Sequence, residues 1–456
     1  MRKGSRLLSA AFSLLALIIG VFALPAVAVR WQSFLPPPQV AQLKVRNWVP
    51  PVHPTLVALS QAALAAQVAT AKTIPMWQGK DPSNTYTFNM VGTDPTIKGA
   101  GNTTIPTFII PLRFTTSTSV PPKQYVFDPE NDDSCSPGKT PALNMVQASP
   151  IFKTITKSVI VPVIGDSLGV GQFASLFQRA NFFAYTAKGA ISPNYQVTLE
   201  QVLENREENV NKTITLPAIT SPTPAPNVLF GPCKYNPVGL YEVHAFDSLV
   251  TTTLLPDLYA HGVKPTTLAV FLLANVVLYD TDATTGCCIL AYHSAMIAQN
   301  NAVQTYVVAD YDTSGGLFPG APDITAMAGA IAGWMNDPVP NSVALSNTIP
   351  PPAQTPPPQS ATPCYVVTLN DQIVPVGSID FTQIASQNIL EPVDPVFPLT
   401  TVTPGNNVFG ITMSKFTYHV PDLAFTTWFY DGSVSTFNKG WSLFGTVPKP
   451  PTTPPC

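Results

Sequence analysis

The chain has 456 residues and a formal charge of −3, and its 50 prolines, 26 glycines and 11% charged residues set it apart from average usage. An apolar content of 45%, with 10% aromatics, excludes a solvated coil and argues for a packed body carrying long proline-rich loops. With 23 Lys and Arg against 26 Asp and Glu, there is no basic patch from which nucleic-acid binding would follow.

Residues 1–28 read as a secretory signal. Arg2, Lys3 and Arg6 precede an apolar run from Leu7 to about Leu24, and Ala26-Val27-Ala28 supplies small residues for cleavage. Removing this segment removes three basic residues and no acid, which takes the formal charge from −3 to −6. The alternative is an uncleaved anchor, because the apolar run approaches the ~20 residues that span a bilayer. The expected location is therefore secreted, extracellular or periplasmic. Cys135, Cys233, Cys287, Cys288, Cys364 and Cys456 are even in number, which suits disulfides in an exported chain, and none has the C-x-x-C spacing of a zinc knuckle or redox motif. Adjacent residues of a strand face opposite ways, so Cys287 and Cys288 would each need a different partner.

Residues 29–54 are proline-rich with Trp31, Phe34 and Trp48, and predict an extended arm. The alanine-rich stretch Thr55 to Lys72 lacks glycine and proline and predicts one helix. From about 74 to 165 the pattern becomes short alternations broken by turn residues, at Tyr86–Val91, Pro106–Phe114, Gln124–Phe127 and Lys157–Val163, which predicts an antiparallel β-rich lobe. Pro106 and Pro111 argue for an edge strand there. Asp128, Glu130, Asp132 and Asp133 form an acidic loop without EF-hand spacing, read as solvated rather than as a calcium site.

Phe173, Leu176, Phe177 and Ala180 form a helical stripe, with Arg179 and Asn181 beside it. Leu254, Leu255 and Leu258 predict a helix, and the nearly continuous apolar run Leu268–Leu278 predicts one central strand covered on both faces. A strand over Thr305–Ala309 ends in Asp310 and Asp312, passes a Gly/Pro loop and opens a helix with Asp323 as the expected N-cap. Ile324, Met327, Ile331 and Trp334 mark its core face, whereas Ala326, Gly329, Ala330 and Gly333 make a smooth face without functional groups.

The segment Asp323–Pro338 resembles a family of secreted bacterial zincin-like proteins in which HE-x-x-EW-x-x-DP follows a strand ending in DFDT or DYDT. Three further stretches are similar to that family: Gln172–Phe183, Cys287–Ser294, and the C-terminal runs Asn388–Pro395, Phe416–His419, Leu423–Phe425 and Trp428–Phe429. The resemblance implies an α+β protein, with the β-rich N-terminal lobe joined to a zincin-like α/β lobe over 166–447. A proline-rich loop interrupts that lobe at 350–363, and 448–456 form a tail. In motif-intact relatives a histidine and an acid would bind zinc beside a general base. Aligned on Trp334, Asp337 and Pro338, this chain carries Gly329, Ala330 and Gly333 at those positions, so the motif is degenerate and no zinc is expected.

The acids and imidazoles that remain as cleft candidates are Glu391, Asp394, His293, His419, Asp310 and Asp312. The expectation is a secreted protein that has lost metallopeptidase activity and serves a non-catalytic or binding role. A hydrolase with a metal site relocated among those six residues is one alternative, and a scaffold contacting cell envelope or polysaccharide is another. The smooth face of the 323–335 helix is expected to look onto the cleft holding Glu391. A plain packing helix would bury that face instead.

Overall fold

The computed structural model describes residues 56, 61–80, 87–97, 101–119, 122–131, 137–160, 167–181, 195–202, 212–216, 228–230, 237–283, 285–313, 318, 321–339, 366–369, 372–375, 378–384, 387–393, 408–421, 424–426 and 440–442. The signal segment, the N-terminal arm, Cys135, Cys233, Cys364, Cys456, Asp394 and the 350–363 loop lie outside them.

Helix α1 (Gln61–Ala69) leads into the hairpin of β1 (Met76–Lys80) and β2 (Thr87–Val91). The long strand β3 (Thr103–Ser119) and β4 (Pro122–Phe127) follow, then α2 (Ala142–Ala148), the pair β5 (Ile155–Ile160) and β6 (Ser167–Gly171), and α3 (Phe173–Asn181). Strands β7 (Val197–Gln201), β8 (Lys212–Thr215), β9 (Val228–Phe230) and β10 (Pro237–Glu242) precede helices α4 (Val243–Leu249) and α5 (Leu255–Tyr259), which a π turn at Val250–Leu254 joins. Next come β11 (Leu268–Ala274), β12 (Val276–Tyr279), β13 (Cys287–Ile289), β14 (Ala291–Ile297), β15 (Val303–Tyr311) and helix α6 (Thr325–Asn336). The C-terminal strands are β16 (Val366–Leu369), β17 (Gln372–Pro375), β18 (Ser378–Ile384), β19 (Gln387–Val393), β20 (Val408–Met413), β21 (Phe416–Pro421), β22 (Ala424–Thr426) and β23 (Gly440–Ser442). Strand accounts for 43% of the described residues and helix for 26%, a mixed and strand-rich content.

A seven-stranded mixed sheet runs β14-β15-β11-β3-β4, with β7 and β8 also paired to β3. The 74–165 stretch does not stand apart from the rest, because β3 lies in parallel register with β11 and with β7. Its two prolines fall where neighbours change. Pro106 precedes the first residue paired with β11, and Pro111 is the last such residue, one position before pairing with β8 begins. A residue without an N–H costs least where a ladder starts or ends, which is how β3 tolerates them away from a sheet edge.

The apolar run 268–279 is two strands rather than one. Asn275 adopts a left-handed conformation (φ 56°) and turns the chain out of the central sheet into a second sheet ordered β13-β12-β10-β9. The chain returns at Leu290, between β13 and β14. Asp310 Oδ1 accepts the Val276 N–H at 3.1 Å, Asp310 N–H donates to Leu290 O at 2.8 Å, and Asn275 pairs with Thr313 through both its side-chain oxygen and nitrogen. The backbone groups released by leaving one ladder are thus satisfied by side chains from the end of β15. Cys287 and Cys288 are both buried in the apolar cluster of this second sheet with Leu290 and Phe318.

Every residue of β11 and β15 is buried. Helix α1 is pinned to the start of β15 by Gln67, which accepts from Val303 N and donates to Asn301 O. Helix α6 packs against α3, β14, β15 and β21. Ile324, Met327, Ile331 and Trp334 are fully buried, and each aliphatic side chain so buried stabilises by about 1.5–3 kcal/mol. Gln178 of α3 donates to Met335 O and to Val91 O, satisfying a carbonyl in the last turn of α6. The helix starts at Thr325, not at an Asp323 cap, and its capping position, Ile324, makes no side-chain bond. Asp323 instead has φ 43° and turns its carboxylate to His419 of β21.

Candidate functional site

The face of α6 expected to look onto a cleft is buried. Ala326, Gly329 and Gly333 are all shielded from solvent, and Ala330 is half-buried against the main core. Ala326 joins the cluster of Leu290, Phe318 and Ala321. Gly333 faces β14: a Cβ built on it would lie 3.1 Å from His293 Cε1 and 3.3 Å from Nδ1. The imidazole thus fills the space over position 333 of the helix. Residues 329, 330 and 333 offer no ligand atom, so these positions do not fit a zinc ion.

His293 sits within β14, opposite Val307. Its ring N–H donates to the Asp337 backbone, and Nε2 is buried without a hydrogen-bond partner. Burial pushes its pKa down to about 4, only partly offset by that hydrogen bond, so the ring is neutral near pH 7. Burial also pushes the Asp337 carboxyl up to about 7.

Asp310 and Asp312 are buried at the end of β15. Strand alternation puts Asp310 on the face opposite the one that His293 shares with Val307 and Ala309. Desolvation, then the charge of Asp312, hold the Asp310 carboxyl well above the carboxylate range. Its hydrogen bond to Val276 N–H makes it a support of the sheet crossing. Asp312 bridges to Asp323 through the backbone.

His419 Nδ1 lies 2.6 Å from Asp323 Oδ2, and His419 N–H donates to Asp323 Oδ1 at 2.9 Å. This pair ties β21 to the loop before α6 and raises the His419 pKa, chiefly through the hydrogen bond. Glu391 stands opposite Asp380 in the β18–β19 register, and β19 touches α6. The Glu391 side chain and Asp394 lie outside the described residues. Among the described residues, His293, Asp310, Asp312 and His419 do not form a group of three ligand atoms around a common point.

Arg179 is buried on α3 with its guanidinium against Gly169, a structural position. Asp128 accepts from Glu130 N and Asn131 Nδ2 and pairs with Arg113 at 3.5 Å, so its oxygens hold its own loop together.

One constellation that sequence reading misses lies on the second sheet. Glu242 ends β10, His244 stands two residues on in α4, and Asp280 follows β12. Because β10 and β12 are parallel with Glu242 opposite Tyr279, both acids emerge at the same end of the sheet. One ligand atom from each of the three residues lies within 4.8 Å of the others. A local cue exists, Glu-x-His at a strand end and Asp-x-Asp at 280–282, but His244 and Asp280 lie 36 positions apart and are brought together by the parallel pairing of β10 with β12.

Comparison with protein-family models, with curated proteins and with solved structures finds no match. The described residues define a mixed α/β protein in which no helix is long and apolar enough to cross a membrane.

Proposed function

We propose that this chain is an exported, non-catalytic protein built on a zincin-like plan, in which the metal-binding helix has become a packing element and the protein acts by binding. The observation that supports this reading most directly is the seating of the His293 ring against Gly333, at 3.1 Å from the position of a β-carbon. Generating a hydroxide from zinc-bound water needs three ligands, an open fourth position and a nearby base. Gly329, Ala330 and Gly333 supply none of these, and the ring of His293 takes the space. Low charge and many prolines suit a stiff, weakly charged surface for contact with cell envelope or polysaccharide.

The test uses the purified, full-length exported protein with a panel of unstructured fluorogenic peptides, with and without zinc and with chelator. No zinc-stimulated hydrolysis is expected. Hydrolysis that zinc raises and chelator abolishes overturns the reading. Retention on isolated envelope from the exporting cell, lost when residues 29–54 are deleted, identifies the binding role.

A further inference from the structure

The geometry points to a first-row divalent cation site, of the zinc type, formed by Glu242, His244 and Asp280 at the shared end of β10 and β12. The site lies on a different sheet from α6 and is independent of the non-catalytic reading above.

His244 Nε2 is 3.2 Å from Asp280 Oδ1, and the three ligand atoms lie within 4.8 Å of one another. Tetrahedral zinc with bonds of about 2.0–2.2 Å places the ligands of one ion roughly 3.3–3.6 Å apart. Closing the triad on an ion therefore takes no more than about 1.5 Å, a side-chain rotation of the exposed imidazole. The side chains of His244 and Asp280 are 51% and 46% exposed, so an ion can enter from solvent and keep water in its remaining positions.

Two of the three ligands are held before any ion arrives. Glu242 Oε2 accepts the Ala245 N–H at 2.7 Å as the N-cap of α4, which fixes the carboxylate. Asp280 Oδ1 accepts from Thr281 Oγ1 at 2.8 Å, and the loop after it is closed by Asp282 N to Asp280 O and Gly286 N to Asp282 O, each at 2.6 Å. A side chain at Gly286 has no room, since its Cβ would strike Asp280 O. Such orientation by neighbouring groups lowers the ordering that binding must impose.

The donor set selects the class of ion. One imidazole nitrogen with two carboxylate oxygens suits zinc and neighbouring first-row ions, whereas calcium and magnesium take all-oxygen sites. The two carboxylates also balance a charge of +2. Bound there, the ion would tie the end of β10 and the start of α4 to the β12 loop.

The experiment is calorimetric titration of chelator-stripped, full-length exported protein with zinc chloride. One site is expected, weakened at least tenfold in His244→Ala and in Asp280→Asn and unchanged in His261→Ala, with zinc raising the Tm of the parent chain and of His261→Ala but not of the other two variants. Circular dichroism without zinc confirms that each variant is folded. Cobalt(II) added to the unmutated protein gives a second readout that needs no variant: a visible d–d band that one equivalent of zinc erases. Absence of zinc binding, or equal affinity in the His244 and Asp280 variants, or no cobalt band displaced by zinc, overturns the proposal. Zinc binding without peptide hydrolysis leaves both readings standing, and hydrolysis that survives His244→Ala overturns only the non-catalytic one.

Discussion

The His293 ring lies flush against Gly333, with Cε1 3.1 Å and Nδ1 3.3 Å from where a β-carbon of that residue would sit. Alanine is worth ~1 kcal/mol over glycine in a helix interior, but here the gain is outweighed by overpacking of about 1–3 kcal/mol. Gly333→Ala should therefore lower the Tm. In His293→Ala the crowding is gone, and adding Gly333→Ala should then be neutral or stabilising. Additive effects in that double-mutant cycle, followed by thermal melts, would show that the two residues do not meet.

The same histidine should govern part of the acid limb of stability. Burial lowers its folded-state pKa from 6.5 to about 4, so the neutral ring contributes its full share above pH 6.5 and loses it as pH falls toward the folded value. Between those limits the linkage amounts to on the order of 3 kcal/mol. His293→Phe keeps a ring and cannot titrate. Its stability curve from urea melts should be flatter than that of the parent between about pH 4 and about pH 6.5, and an unchanged slope would remove His293 from the acid response.

Asp310 separates two kinds of contribution. Its carboxyl is held above the ordinary 3.8 by desolvation and by Asp312, so the folded state favours the neutral form and the acid weakens the protein as pH rises through the folded value. Asp310→Asn keeps an oxygen for Val276 N–H and should match or exceed the parent in stability at neutral pH, with the advantage growing as pH rises. Asp310→Ala leaves the Val276 N–H without its acceptor and should cost about 1–3 kcal/mol. Equal losses in both variants would mean that the charge, not the acceptor, matters.

His419 titrates in the opposite sense to His293. Asp323 raises its folded-state pKa above 6.5, principally by the hydrogen bond, so the pair's stabilisation is complete below pH 6.5 and fades as pH rises through the folded value. The His419 side chain is 41% exposed, and the effect should be small and weakened by salt. Asp323→Asn should abolish the added decline in Tm between about pH 6 and about pH 9. The imidazole shifts followed by NMR should move toward ordinary histidine behaviour in that variant.

Much of the local structure was legible because it depends on neighbours in sequence. The core stripe Ile324, Met327, Ile331 and Trp334 follows from helical spacing and is fully buried, and the alanine-rich stretch contains α1. What escaped depends on partners far along the chain. Asp323 reads as a cap until His419, 96 residues away, claims its carboxylate. The run 268–278 reads as one strand because burial on both faces looks alike in either sheet, and only Asn275 with its Thr313 and Asp310 partners marks the crossing. The smooth face of α6 reads equally as a lost site or a packing surface until the position of His293 is known. Glu242, His244 and Asp280 are unremarkable singly, and only the parallel register of β10 with β12 assembles them.

That crossing at Asn275, and the return at Leu290, bind the fates of two sheets together. Neither sheet can open along its own edge without dragging a strand of the other, since β11 continues into β12 and β13 into β14 across a single residue each. Amide protons on Val270 and Val277, or on Ile289 and Tyr306, should therefore exchange through the same rare, large opening rather than by separate local ones. A protease nick in the tight loop after Asp280 should leave the two halves associated, because the sheets remain stitched on both sides of the cut.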